Sequence, residues 1–129
     1  LYTGGREGPA WPWCAGFASH IMKQAYQNNP PIPASLSCDL LAASAIKKHI
    51  FIPLPPASKR NTIKPGYLFL VRKSAANWTH TGIVTEVHGD CFSTIEGNTN
   101  DEGSREGCEV CARIRAFNPK RPIDFIALA

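Results

Sequence analysis

No stretch of this chain is apolar for long enough to cross a bilayer. The first residues, Leu1-Tyr2-Thr3-Gly4-Gly5-Arg6, lack the basic-then-apolar pattern of a leader peptide. No initiating methionine precedes them, as in a mature or excised fragment, and export is not legible here. Long runs of one charge sign are also missing. The basic residues come as scattered pairs, Lys47-Lys48, Lys59-Arg60, Arg72-Lys73 and Lys120-Arg121. Such pairs read as solvated surface and argue against a nucleic-acid partner. Internal repeats and low-complexity tracts are absent, which excludes a repeat array.

What remains is the composition of one globular domain. The chain has 129 residues, 43% of them hydrophobic. A domain of this size buries roughly two-thirds of its unfolded surface and needs no covalent staples. The 11 prolines and 10 glycines predict many loops and short elements. The formal charge of +4 favours contact with anionic polymers such as wall glycans or teichoic acids. Cysteine is the informative residue. Cys14, Cys38, Cys91, Cys108 and Cys111 make an odd number, so at least one thiol is left over within the chain.

Periodicity divides the chain in two. From Cys14 to about Gln27, Phe17, Ala18, Ile21, Met22, Ala25 and Tyr26 recur at helical spacing. Pro12 is tolerated before such a start, and Asn28-Asn29-Pro30-Pro31-Ile32-Pro33 ends it. A second helix is predicted from Ser37 to about His49, capped by Ser35 or Ser37, with Leu40, Leu41 and Ile46 facing the core. Ile52-Pro53-Leu54-Pro55-Pro56 reads as a linker between elements. After Pro65-Gly66 the period becomes that of strands. Strands are predicted at 67–71, 80–87, 91–96, 110–117 and 123–128, with His88-Gly89-Asp90 as a hairpin turn. Helices first and consecutive strands after them argue an α+β fold with an antiparallel sheet.

Cys14 falls in the first turn of the first helix. Free amides and the helix dipole favour a thiolate there, and the same amides can donate to an oxyanion. His80 opens a predicted strand and is positioned to serve as the base of a cysteine-type acyl transfer. The hairpin at Gly89 puts residues 80 to 83 roughly opposite 95 to 98. Glu96 or Asn98 could then fix the tautomer of His80, and spacing alone does not choose between them.

Other groups have blander readings. Thr3-Gly4-Gly5-Arg6-Glu7-Gly8 holds one carboxylate, too few for calcium. Asn100-Asp101-Glu102 reads as a solvated loop. Cys108-Glu109-Val110-Cys111 has no second pair and leads into a strand, which argues against zinc or redox use. No metal or other cofactor is expected. His20 lies roughly 240° round the helix from Cys14, a poor partner. Surface positions are expected for His49 and His88. Trp11 and Trp13 either line a substrate groove or only pack the helix start.

Several blocks, taken in order, resemble the CHAP domain, the cysteine-, histidine-dependent amidohydrolase/peptidase family. They are Trp13-Cys14-Ala15-Gly16-Phe17-Ala18-Ser19, Pro65-Gly66-Tyr67-Leu68, His80-Thr81-Gly82-Ile83-Val84 and Thr94-Ile95-Glu96-Gly97-Asn98-Thr99-Asn100. The later Gly103-Ser104-Arg105-Glu106-Gly107, with Arg113 and Arg115, resembles the tail of some members. The resemblance implies a papain-like fold over a single catalytic domain, residues 1–129. It implies a peptidoglycan hydrolase, either an N-acetylmuramoyl-L-alanine amidase or a peptide endopeptidase. Cys14 would be nucleophile, His80 base, Glu96 the orienting residue and Asn98 a fourth polar member. Such an enzyme acts at the bacterial cell wall or periplasm, as a monomer, without membrane insertion. Two rival expectations are a thiol amidase on a non-wall amide and a catalytically idle wall-binding module.

Overall fold

The computed structural model describes residues 14–27, 29–97, 110–117 and 120–128. Helix α1, Cys14–Ala25, and helix α2, Cys38–Lys47, come first. Then follow β1 (Phe51–Ile52), a 3-10 segment (Ala57–Thr62), β2 (Leu68–Ser74), β3 (Asn77–Val87), β4 (Cys91–Gly97), β5 (Val110–Ala116) and β6 (Ile123–Ile126). The strands form one six-stranded sheet in the order β1-β6-β2-β3-β4-β5, and every pair is antiparallel. Both helices pack on β3, and α1 reaches β4 as well. This is the α+β architecture expected from the order of elements. Among the described residues no helix is long and apolar enough to cross a membrane.

Alternation along β2 shows why its first four residues, Leu68 to Val71, are all apolar. Leu68 and Leu70 join the cluster under the helices, with Ala18, Met22, Leu41, Ala42 and Ile126. Phe69 joins a second cluster on the other face, with Val84, Phe92, Phe117 and Phe125. A strand covered on both faces has no solvated side to reserve for polar residues. The second cluster is aromatic. Phe92 stacks edge-on to Phe125 at 5.3 Å and tilts against Phe117 at 4.9 Å, centroid to centroid. On the opposite face of β6, that of Ile126, Asp124 is buried and fully engaged. It accepts from Trp78 Nε1 at 2.7 Å, Arg72 Nε at 2.8 Å and the Leu54 amide at 2.9 Å.

Helix α2 corrects one expectation. Cys38, Leu41, Ala42 and Ala45 are its buried residues, whereas Leu40 is 60% and Ile46 51% exposed. At about 100° per residue, Leu40 lies roughly 150° and Ile46 roughly 90° from the centre of the buried stripe. Ser37 is the cap, its side chain accepting from the Leu40 amide at 3.3 Å. Ser19 of α1 donates to the Ser35 carbonyl and accepts from the Ser35 amide, both at 2.9 Å, which ties the two helices together ahead of that cap.

Two further expectations are corrected. The proline-rich stretch from Ile52 is not only a linker, because Phe51 and Ile52 pair with Ile126 and Phe125. A strand of two residues leaves no periodicity to read. His80 does not open its strand, for β3 begins at Asn77. The extension is anchored by Asp39 of α2, which accepts from the Trp78 amide at 2.6 Å and from Asn77 Nδ2 at 2.9 Å. The turn at 88–90 closes as expected, with Gly89 at φ +81 and the His88 amide donating to the Cys91 carbonyl at 2.8 Å.

Candidate active site

Three elements converge at one end of the sheet. Helix α1 opens with Cys14, which is 2% exposed. In β3, His80, Gly82 and Val84 alternate on one face, and the pairing of Val84 with Thr94 puts Thr94 and Glu96 of β4 on the same face. Glu96 is therefore diagonal to His80 across the hairpin. His80 Nε2 donates to Glu96 Oε1 at 2.6 Å. A carboxylate can only accept, so it selects the tautomer with hydrogen on Nε2. Nδ1 is left free of Glu96, and the imidazole acts on the Cys14 thiol.

Glu96 is fully buried and has every oxygen in use. Arg115 of β5 grips it with two bonds, Nε to Oε2 at 2.6 Å and Nη2 to Oε1 at 2.7 Å. Thr94 Oγ1 donates to Oε2 at 2.6 Å. The guanidinium lies over the Phe69 ring at 5.1 Å, and that ring also contacts His80 at 5.9 Å. The result is a chain of contacts running Cys14, His80, Glu96, Arg115. With the thiol ionised and the imidazole protonated, charges alternate along it and sum to zero.

The electrostatics follow from these contacts. The thiol of Cys38, Sγ to Sγ 4.0 Å from Cys14, is the main influence lowering the Cys14 thiol. Burial opposes that, and His80 and the Thr81 backbone reinforce it, so Cys14 falls to about 4. Burial disfavours the imidazolium of His80, but hydrogen bonds and charge from Cys14 and Glu96 overcome it and raise His80 to about 9. Burial likewise disfavours the Glu96 carboxylate, and Arg115, His80 and Thr94 outweigh it and hold Glu96 down at about 2.

The signs define a window. Thiolate forms as pH rises through about 4, and imidazolium is lost as pH rises through about 9. The ion pair therefore persists between them. Alkylation of Cys14 by iodoacetamide is expected to vary little from about pH 5 to about pH 8 and to drop about tenfold per unit below the lower limb. A rate that instead climbs through about pH 8.5, as for an ordinary thiol, would show that the ion pair does not form.

A family model for the CHAP domain matches residues 5–98, more than half of the chain. The chain belongs to the CHAP domain family. Membership carries hydrolase activity of the amidase or peptidase kind, directed at peptidoglycan. No curated protein and no solved structure matches the chain.

Within this CHAP domain the structure brings Cys14, His80 and Glu96 into one network. Asn98, Trp11, Trp13, Cys108 and the acidic 100–102 cluster lie outside the described residues. Cys111 is a free, partly buried thiol opposite Glu96 in the β4–β5 register. His49, at the end of α2, and His88, bonded to Ser93 Oγ at 2.8 Å in the hairpin, are both exposed. Among the described residues no group of three or more His, Cys, Asp or Glu side chains is arranged to hold a metal ion.

Sequence reasoning missed four neighbours of the network: Arg115, Thr94, Cys38 and Gly82. Of these, Gly82 carries a readable signal, a glycine inside a strand, which marks close approach. A methyl group built there would stand 2.6 Å from Phe69 Cε2 and 2.9 Å from both Glu96 Cγ and the Ile95 carbonyl oxygen. Gly82→Ala is expected to cost about 1–3 kcal/mol in thermal or denaturant unfolding. Because Glu96 is one of the atoms displaced, kcat should fall further than stability alone predicts when measured well below the melting range. Full kcat in a destabilised variant would show that Glu96 is not displaced.

Proposed function

We propose that this CHAP domain cleaves an amide bond of peptidoglycan through a covalent thioester on Cys14. The observation that carries the reading is the 2.6 Å bond between His80 Nε2 and buried Glu96, with the same imidazole favouring the Cys14 thiolate. The Cys14 thiolate attacks the carbonyl carbon. The first amides of α1, which have no carbonyl partner within the helix, receive the oxyanion. Imidazolium His80 gives its Nδ1 proton to the departing amine nitrogen, the C–N bond breaks, and a thioester remains. Neutral His80 then takes a proton from water, whose oxygen attacks the thioester. The acid leaves, the thiolate returns, and the imidazolium is restored.

Glu96 acts on the ring and not on the substrate. It holds the tautomer and steadies the imidazolium. Arg115 and Thr94 act one step further back, keeping Glu96 ionised and aimed. In this reading Asn98 is a fourth polar group used in the reaction, and Trp11 and Trp13 are substrate-binding residues. The same reading makes the enzyme papain-like, working at the bacterial cell wall as a monomer. The +4 charge suits an anionic wall surface.

Digestion of purified peptidoglycan followed by mass spectrometry of the products tests substrate and bond together. New amine termini are expected, on L-alanine with a freed muramyl carboxyl for an amidase or within the stem peptide or bridge for an endopeptidase. Sacculi that yield no new amine termini would rule out wall cleavage and favour a non-wall amide.

A further inference from the structure

The cysteine beside the nucleophile has no part in the steps above. Cys38 is the first residue of α2, 24 positions along the chain from Cys14, and is 8% exposed. Its Sγ stands 4.0 Å from Cys14 Sγ, so the two thiols touch inside the core. Helix α1 delivers one and helix α2 the other. The Ser19–Ser35 bonds and the Ser37 cap hold α2 in that place.

We infer that Cys14 and Cys38 form a redox-active dithiol, which hydroperoxides convert to a disulfide and which dithiol reductants restore. A disulfide needs the sulfurs about 2.05 Å apart, so they must approach by about 2 Å. Rotation of the two side chains about their Cα–Cβ bonds is the motion that brings the sulfurs together.

The chemistry balances without a further reactant. The Cys14 thiolate attacks one oxygen of a hydroperoxide, the O–O bond breaks, and hydroxide or alkoxide departs. Cys14 becomes a sulfenic acid. Cys38 sulfur then displaces the sulfenic oxygen, the S–S bond forms, and that oxygen leaves as water with the Cys38 proton. Two thiol sulfurs have each lost one electron and the peroxide has gained both. A dithiol reductant reverses the step by thiol–disulfide exchange.

The electrostatics support the order of events. The hydrogen bond with Cys14 is the main influence raising the Cys38 thiol, followed by burial, the Cys14 charge and the Asp39 carboxylate. Cys38 thus stays protonated and donates while Cys14 is a thiolate. Once Cys14 is a neutral sulfenic acid, its charge no longer opposes ionisation of Cys38. The resolving thiol is released by the oxidation it resolves. That this oxidation silences hydrolysis rests on the reading of Cys14 as nucleophile.

The test treats the full chain with a small excess of hydrogen peroxide, then maps its peptides by mass spectrometry and assays peptidoglycan hydrolysis. The expected product is a cross-linked pair of peptides containing Cys14 and Cys38, lighter by two hydrogens. Activity is expected to fall at least about tenfold and to return with dithiothreitol. In Cys38→Ser the same treatment is expected to carry Cys14 to the sulfinic acid, heavier by two oxygens. Its activity, relative to its own untreated rate, should not return. Sulfinic acid on Cys14 in the unsubstituted chain, with no Cys14–Cys38 link, would overturn the inference. A link that forms while activity is unchanged would leave the dithiol standing and remove Cys14 as nucleophile.

Discussion

Cys14→Ala is expected to lower hydrolysis of purified peptidoglycan by at least about 10³-fold while the fold survives. The two effects separate for physical reasons. Alanine is the best helix former, so α1 keeps its first turn. Removing one buried sulfur leaves a cavity smaller than a Leu→Ala change and costs about 1 kcal/mol. The thioester, by contrast, has no other atom on which to form. Serine does not substitute, because its hydroxyl stays protonated where the thiol of Cys14 ionises at about 4. The check is turnover at matched circular dichroism spectra. An undiminished rate would remove Cys14 from the reaction and with it the proposed mechanism.

Arg115→Gln is expected to lower kcat by about 10²-fold with little change in KM, the scale of a misplaced catalytic group. Arg115 touches no reacting atom in the proposed mechanism. Its two bonds of 2.6 and 2.7 Å hold a carboxylate that is otherwise fully buried. Without them burial has less to oppose it, and the Glu96 carboxyl rises from about 2. The acidic limb of the pH–rate profile should therefore move upward. Arg115→Lys should recover part of kcat, since an ammonium supplies the charge but not both parallel bonds. A loss confined to KM, or an unmoved acidic limb, would show that Arg115 only supports the fold.

Much of this architecture is legible in the sequence, and the exceptions have causes. Helical spacing through Met22 and the strand formers from 80 to 87 locate α1 and β3, although α1 is buried on every side from Cys14 to Ser19. The hairpin at Gly89 brings Glu96 near His80, and the register shift between Val84 and Glu86 fixes which side chains share a face. Leu40 and Ile46 misled because apolar residues also occur singly on surfaces. Nothing in the sequence by itself assigns Arg115 a role. Twelve residues separate β4 from β5, too many for the sequence to state which residue faces Glu96. The contact of Cys38 with Cys14 was invisible for a related reason. It depends on how two helices pack, and neither helix carries a pattern that specifies its neighbour.

The position of β5 at the end of the sheet has a consequence for heat. Among the described strands it pairs only with β4, so one ladder of hydrogen bonds holds it in place. An outermost strand opens at lower free energy than the strands inside. Arg115 leaves with it, and Glu96 then faces the interior without its counter-charge. On warming, hydrolysis is therefore expected to fall before near-UV circular dichroism reports loss of the packing of Phe92 on Phe125.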